Sequence, residues 1–422
     1  MSINRELIEE KLEELWDEEK LFLQTIGSFP STLGNEKEVQ AFIYNYLQDM
    51  GLETEAVKVE PERLRKYENF GEPEWSYENR PVVAGVWKSP GPKKGKSLIL
   101  QSHLDVVSAG PEDQWGNDPY SPVTKGNSMY GRGLLDMKGG FAAIVFAVKA
   151  LRKAGVELGA DLQIHSVIEE ECTGNGALAL LDRGYTADGA LIPEPTHLRL
   201  INSQLGVLWL RVTVKGAGAH VERAESAQNA IMKASRLMES LMEYREHINS
   251  RPKHPDFEKH PHPLNVNVGA VKGGDWASSV PTECTFEARL GFYPGTAPET
   301  VQKEVEQWLL EAANEDEWLK TTPPEITFFG FAAPGYSISK DEEIMQEMAA
   351  SHASVTNEKV EHLPFTATTD LRAFGEFNIP ATCYGPVGGD MHAPNEYIDL
   401  ASLKTVTHTI ADFITRWCEE NK

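Results

Sequence analysis

Ile8, Leu12, Leu15 and Trp16 recur at three- and four-residue spacing among Glu and Lys, the period of an amphipathic helix. Val39, Phe42, Ile43, Tyr46 and Leu47 repeat the pattern, which predicts a second helix over about 36–50, stopped by Gly51. Residues 61–80 are polar, aromatic and turn-rich and read as a surface excursion. The pattern then alternates between short apolar runs and helical periods. Strands are expected at 82–87, 97–102, 161–168 and 189–192, and helices at 141–153 and 176–182. That order predicts an α/β fold with helices on both faces of a mixed sheet.

From about Gly206 the style changes. Residues 207–215 alternate as a half-buried strand, and 224–244 have the length and pattern of a long helix. After the proline-interrupted run RPKHPDFEKHPHP come expected strands at 264–271 and 283–292 and a helix at 298–313. This block is expected to be an inserted α+β domain over 206–322, splitting a first domain into 1–205 and 323–422. The strand near 380–384 and the final helix from Ser402 return to the first style.

Composition narrows the function classes. Lys and Arg number 40 against 64 Asp and Glu, a formal charge of −24. Nucleic acid and anionic membrane surfaces need clustered positive charge, so neither is an expected partner. No apolar run approaches the roughly 20 residues that span a bilayer. The first twenty residues are charged throughout and do not read as a secretory signal, so the expected location is cytoplasmic. Cys172, Cys284, Cys383 and Cys418 are widely spaced and read as reduced thiols.

Two phosphate-loop look-alikes fail on chemistry. GPKKGKS has its first glycine one residue too close and runs into a strand, where a phosphate cradle needs a helix. GRGLLD places Asp136 where a dinucleotide fingerprint has its third glycine, and a carboxylate there would repel a pyrophosphate.

The remaining candidates sit at strand ends. His103 and Asp105 close the apolar run SLILQSHLDVV and point to one face. Asp136 lies in the glycine-rich GRGLLDMKGG before a helix, Glu169, Glu170 and Glu171 follow LQIHSVI, and Glu194 follows GALIP. His392 lies in the Gly/Pro-rich YGPVGGDMHAPNEYI. Taken singly, His103–Asp105 reads equally well as a surface pair, Asp136 as a helix cap and the acidic run as a solvated face. Together, two His and three carboxylates at the ends of one sheet suit a pair of Zn²⁺-like ions sharing one carboxylate. Glu170 is left over as a carboxylate that can serve as a base. His254, His260 and His262 fall in the proline-interrupted run and read as surface loop.

With HLD at 103–105, GRGLLDMKGG at 131–140, EEE at 169–171, PEP at 193–195, GAGAH at 216–220 and MHAPNEYI at 391–398, the chain resembles a known family over nearly its whole length. That family comprises the acetylornithine deacetylases, succinyl-diaminopimelate desuccinylases, carboxypeptidases G and aminoacylases, all dinuclear metallohydrolases. The resemblance implies that Asp136 bridges two divalent ions, zinc first, with cobalt or manganese as alternatives. Glu171 and His392 would complete one site, His103 and Glu194 the other. Asp105 would orient His103, and Glu170 would be the general base. His220 would reach a neighbouring subunit's site from an inserted lid that mediates homodimerisation. Glu169 and Met391 depart from the family, which often has Asp and Ala at these places. The implied activity is hydrolysis of an N-acylated small amine or amino acid, by deacetylation or deformylation, including deformylation of formylaminopyrimidines. A dipeptidase or carboxypeptidase with the same metals is the alternative, and a non-catalytic binding protein on the same fold is a second.

Overall fold

The computed structural model describes residues 4–419. Its central sheet has six strands in the order Glu53–Val57, Val82–Trp87, Leu162–Val167, Leu98–His103, Gly189–Ile192, Ala381–Cys383. The first two pairings are antiparallel and the remaining three parallel, so the sheet is mixed as expected. Alternation along each strand supplies both faces. Leu98 and Leu100 pack with the helices Arg5–Gly27, Gly139–Lys153 and Leu400–Cys418, whereas Ile99 turns to the side carrying Asn175–Arg183 and Leu371–Glu376. Among the described residues no helix is long and apolar enough to cross a membrane. All four cysteines are free and buried.

A separate four-stranded antiparallel sheet runs Val266–Gly273, Glu283–Phe292, Gly206–Lys215, Glu325–Ala333. Leu210, Val212 and Val214 point to the helices Ala230–Asn249 and Pro298–Ala313, forming a core of their own with Leu237, Leu241, Val305 and Leu309. Glu325–Ala333 pairs with Gly206–Lys215, so this sheet continues past the boundary drawn at 322. The helix expected from 224 begins at Ala230, because the side-chain Oδ1 of Asn229 accepts from the backbone N–H groups of Ile231 and Met232 and caps it there. Residues 221–226 form a separate short turn of helix.

The 61–80 excursion is anchored rather than merely superficial. Asn69 and Arg80 are buried, and the Arg80 guanidinium holds Glu36 at 2.6 Å and Glu169 at 2.7 Å. A hairpin joins Gly388–Gly389 to Tyr397–Asp399 and carries His392 in its connecting loop.

Candidate metal centre

The strands ending at Val167, His103 and Ile192 are adjacent and parallel, so their carboxyl ends share one edge of the sheet. Ligands gather outside such edges in open α/β sheets. His103 is the last residue of its strand, Glu169–Glu171 follow the second and Glu194 the third. Asp136 enters from the tight turn before the helix Gly139–Lys153; its peptide bond to Met137 is cis. A Cβ on Gly140 would collide with the Pro193 carbonyl, so only glycine lets this helix start approach the Pro193–Glu194 corner.

The structure brings together His103, Asp136, Glu170, Glu171, Glu194 and His392. His103 Nε2 lies 3.1 Å from Asp136 Oδ1, and His392 Nε2 lies 3.3 Å from Asp136 Oδ2 and 3.0 Å from Glu171 Oε1. One carboxylate thus presents a different oxygen to each imidazole. Two groupings have ligand atoms within 4.8 Å of one another, His103–Asp136–Glu171 and His103–Glu170–Glu194. Glu170 Oε2 is 4.0 Å from His103 Nε2. His103 Nδ1 faces the backbone carbonyl of Asp105 at 2.9 Å, while the Asp105 side chain stands at 3.6 Å. That arrangement fits an Nδ1–H tautomer that leaves Nε2 for the centre. The Asp105 carboxylate also accepts from the backbone N–H of Glu171 at 3.2 Å and, more loosely, of Glu170 at 3.4 Å, clamping the acidic turn.

Burial and like charge dominate the electrostatics. Burial first, then the Asp136 carboxylate, push Glu194 well above the carboxylate range; burial and Glu194 do the same to Glu170. Burial raises Asp105 to about 7. Burial disfavours the His103 imidazolium, but Asp136, Asp105 and Glu194 outweigh it and raise the ring well above its ordinary value. His392 behaves alike: burial opposes its charge, Glu171 and Asp136 favour it, and it rises to about 11. Burial would raise Asp136, yet its two imidazole partners hold it low. Glu194 Oε1 is buried without a hydrogen-bond partner. Crowded carboxylates, imidazole Nε2 atoms turned toward them and an orphaned carboxylate oxygen fit a centre built for cations.

His220 lies elsewhere. It is exposed at the start of the Val221–Ser226 turn, its Nδ1 accepts from the Glu222 N–H, and it does not line the cleft beside the acids. His254, His260 and His262 belong to no ligand grouping among the described residues.

Two supporting residues, Glu169 and Glu396, receive no role from the sequence. Glu169, in the left-handed region at φ 66°, accepts from Trp75 Nε1 at 2.6 Å, Thr173 Oγ1 at 2.7 Å and the Tyr77 hydroxyl, and pairs with Arg80. This longer acid therefore reaches donors on the 61–80 excursion and fixes the turn bearing Glu170 and Glu171. Glu396 pairs with Arg132 at 2.5 Å and accepts from the Leu135 and Asp136 N–H groups at 3.0 and 3.2 Å, steadying Asp136. Glu396 stands within MHAPNEYI, four residues after His392, with no spacing signal of its own.

A cleft of about 480 Å³ runs between the two sheets, with Glu170, Glu171 and His392 on one wall and Trp209, Phe329 and Phe331 on the other.

The chain is 28% identical to the N-formyl-4-amino-5-aminomethyl-2-methylpyrimidine deformylase of Halalkalibacterium halodurans, covering 95% of this chain and 94% of the relative. It is equally 28% identical to the protein of that name in Bacillus subtilis, covering 98% of each. Among solved structures it resembles the Saccharomyces cerevisiae dipeptidase Dug1p (TM-score 0.81, 15% identity, all of both chains). It also resembles human carnosine dipeptidase 1 (TM-score 0.77, 15% identity, 98% of this chain and 99% of the other). The sequence profile of peptidase family M20/M25/M40 matches residues 99–416. That match takes in His103, Asp136, the acidic turn, Glu194 and His392 together, and the chain belongs to this family of hydrolases.

Proposed function

We propose that the protein is a dinuclear metal-dependent N-deacylase that removes a formyl group from a small amine, with acetyl as the nearest alternative. The observation that carries the metal reading is the division of Asp136 between two imidazoles, with Glu171 on one side and Glu170 and Glu194 on the other. His103 and Glu194 would hold one ion, Glu171 and His392 the second, and Asp136 both. Zinc suits this mixed N/O set, and cobalt or manganese would serve similarly. Bound there, the ions would polarise the acyl carbonyl and acidify the attacking water.

The chain's residues then handle protons and position. Glu170, buried beside His103 yet left over from the ligand set, takes the proton from water as oxygen adds to the carbonyl carbon. It returns that proton to nitrogen as the C–N bond breaks, giving a carboxylate, formate in the formyl case, and a free amine. Asp105 and Glu169 keep the acidic turn in register during the transfer. His220, exposed and with Nδ1 occupied as an acceptor, has Nε2–H free to donate. In a homodimer formed through the inserted domain it would serve the oxyanion in the neighbouring copy. The cytoplasm is the proposed location.

End-to-end similarity to two deformylases favours formamides, whereas the dipeptidases share the fold alone. A hydrolysis panel on zinc-loaded protein, comparing N-formyl, N-acetyl and N-succinyl amines with dipeptides, tests the choice. The highest kcat/KM is expected on an N-formyl amine; a dipeptide ranked first would install the peptidase reading instead.

A further inference from the structure

The wall facing the acids has an unusual construction. In the inserted sheet, Phe328 pairs with Leu210 and Ala332 with Leu208, so Phe329, Gly330 and Phe331 together oppose the single residue Trp209. This is a bulge of three residues against one, a device that re-aims side chains beside active sites. Phe328 and Ala332 pack toward the inserted domain's own core, as Leu208 and Leu210 do, which leaves Phe329 and Phe331 on the cleft side with Trp209.

Gly330 makes the bulge possible. It sits at φ +58°, and a Cβ there would lie 2.7 Å from the Trp209 ring. The three rings form one group: Trp209 and Phe329 have centroids 5.6 Å apart, and Trp209 meets Phe331 edge-on at 5.2 Å. Two guanidinium groups fix its ends, Arg211 at 4.2 Å from the Phe329 ring and Arg372 at 5.0 Å from the Phe331 ring. The wall is therefore preorganised and stays partly open, since Trp209 and Phe329 are only half-buried.

We propose that Trp209 and Phe329, backed by Phe331, determine specificity by receiving a flat unsaturated ring on the amine portion of the substrate. This rests on the deformylase reading above: a formyl group is a single carbon, so the substrate's bulk, and the contact across the cleft, must come from the amine. Face and edge contacts with aromatic rings favour a planar ring over a puckered one of equal size.

Matched ligands test it: N-formylbenzylamine against N-formyl(cyclohexylmethyl)amine, both neutral. Their kcat/KM values are compared in zinc-loaded protein and their affinities, by calorimetry, in zinc-loaded Glu170→Gln. A preference of about five- to tenfold for the flat ring is expected in both assays, falling toward unity in Trp209→Leu and in Phe329→Leu, chiefly through KM. Equal handling of the two ligands, no binding of either, or a preference that survives both substitutions overturns the inference. Ring-selective binding without hydrolysis of either formamide would sustain it and remove the deformylase reading.

Discussion

At the residue scale, the structure gathers at one place the six residues picked out by sequence, His103, Asp136, Glu170, Glu171, Glu194 and His392, while the division between ligands and base remains the proposal's, since Glu170 also groups with His103 and Glu194. The six were legible because each ends an apolar strand or sits in a glycine-rich loop, and adjacent parallel strands bring such ends together. The partners of Glu169 were not legible. Tyr77 and Trp75 lie more than ninety residues away in a stretch whose polar, turn-rich composition hides two half-buried donors. Nor does spacing indicate that Asp105 holds the acidic turn through backbone N–H groups as well as standing beside His103. Glu170→Ala should lower kcat by about 10²–10⁴-fold, the usual range for a positioned base, while two metal ions still bind. Steady-state kinetics with metal analysis checks this, and near-normal turnover would remove Glu170 from its role.

At the scale of elements, most boundaries follow from periodicity, and the misses have local causes. Asn229 caps the long helix six residues later than its apolar pattern suggests. The strand Glu325–Ala333 gives no clear alternating pattern because the Phe329–Phe331 bulge interrupts it. The excursion before the second sheet strand is pinned by Arg80, which stands between the fully buried Glu36 and Glu169. Removing the cation leaves two buried carboxylates facing one another. Arg80→Ala is therefore expected to lose about 3–5 kcal/mol in urea unfolding, and Arg80→Lys less. An unchanged midpoint would contradict the network.

A pH effect belongs to the packing of the first helix on the last. Glu19 is buried there and accepts from Thr407 Oγ1 at 2.6 Å. Burial raises it to about 8, against the smaller opposing pull of Thr407 and Lys404. Below its unfolded value of about 4.3 both states hold the proton and Glu19 adds no slope. Between there and about pH 8 the folded chain keeps a proton that the unfolded chain has released, so stability falls as pH rises, by at most about 1.4 kcal/mol per unit. Glu19→Gln removes that term while the slopes of other groups cancel in the comparison. The Tm of the variant relative to the parent should climb from pH 5 to 8 and level off above; a pH-independent difference would refute the assignment.

At the scale of the whole molecule, the central sheet carries the candidate metal ligands at one edge, the inserted sheet carries the aromatic wall, and the proposed site is the cleft that both line. Bridging contacts set that cleft: Arg211 on the inserted sheet pairs with Glu74 of the excursion through two contacts at 2.7 and 2.9 Å. The same excursion donates to Glu169, so one segment touches both walls. The acidic surplus of 24 charges is consistent with small neutral substrates, and a few of those acids, placed at strand ends, are the ones to which the proposal assigns the chemistry. What composition could not supply is the amine, for which the aromatic wall is the structural clue. Hydrolysis is proposed to depend on cations held around Asp136. Formate release from an N-formyl amine, followed before exhaustive chelation, after it, and after zinc is returned, tests this most directly. Release is expected to disappear on chelation and to return with about two zinc ions per chain; release at the full rate from metal-free protein would refute the dependence.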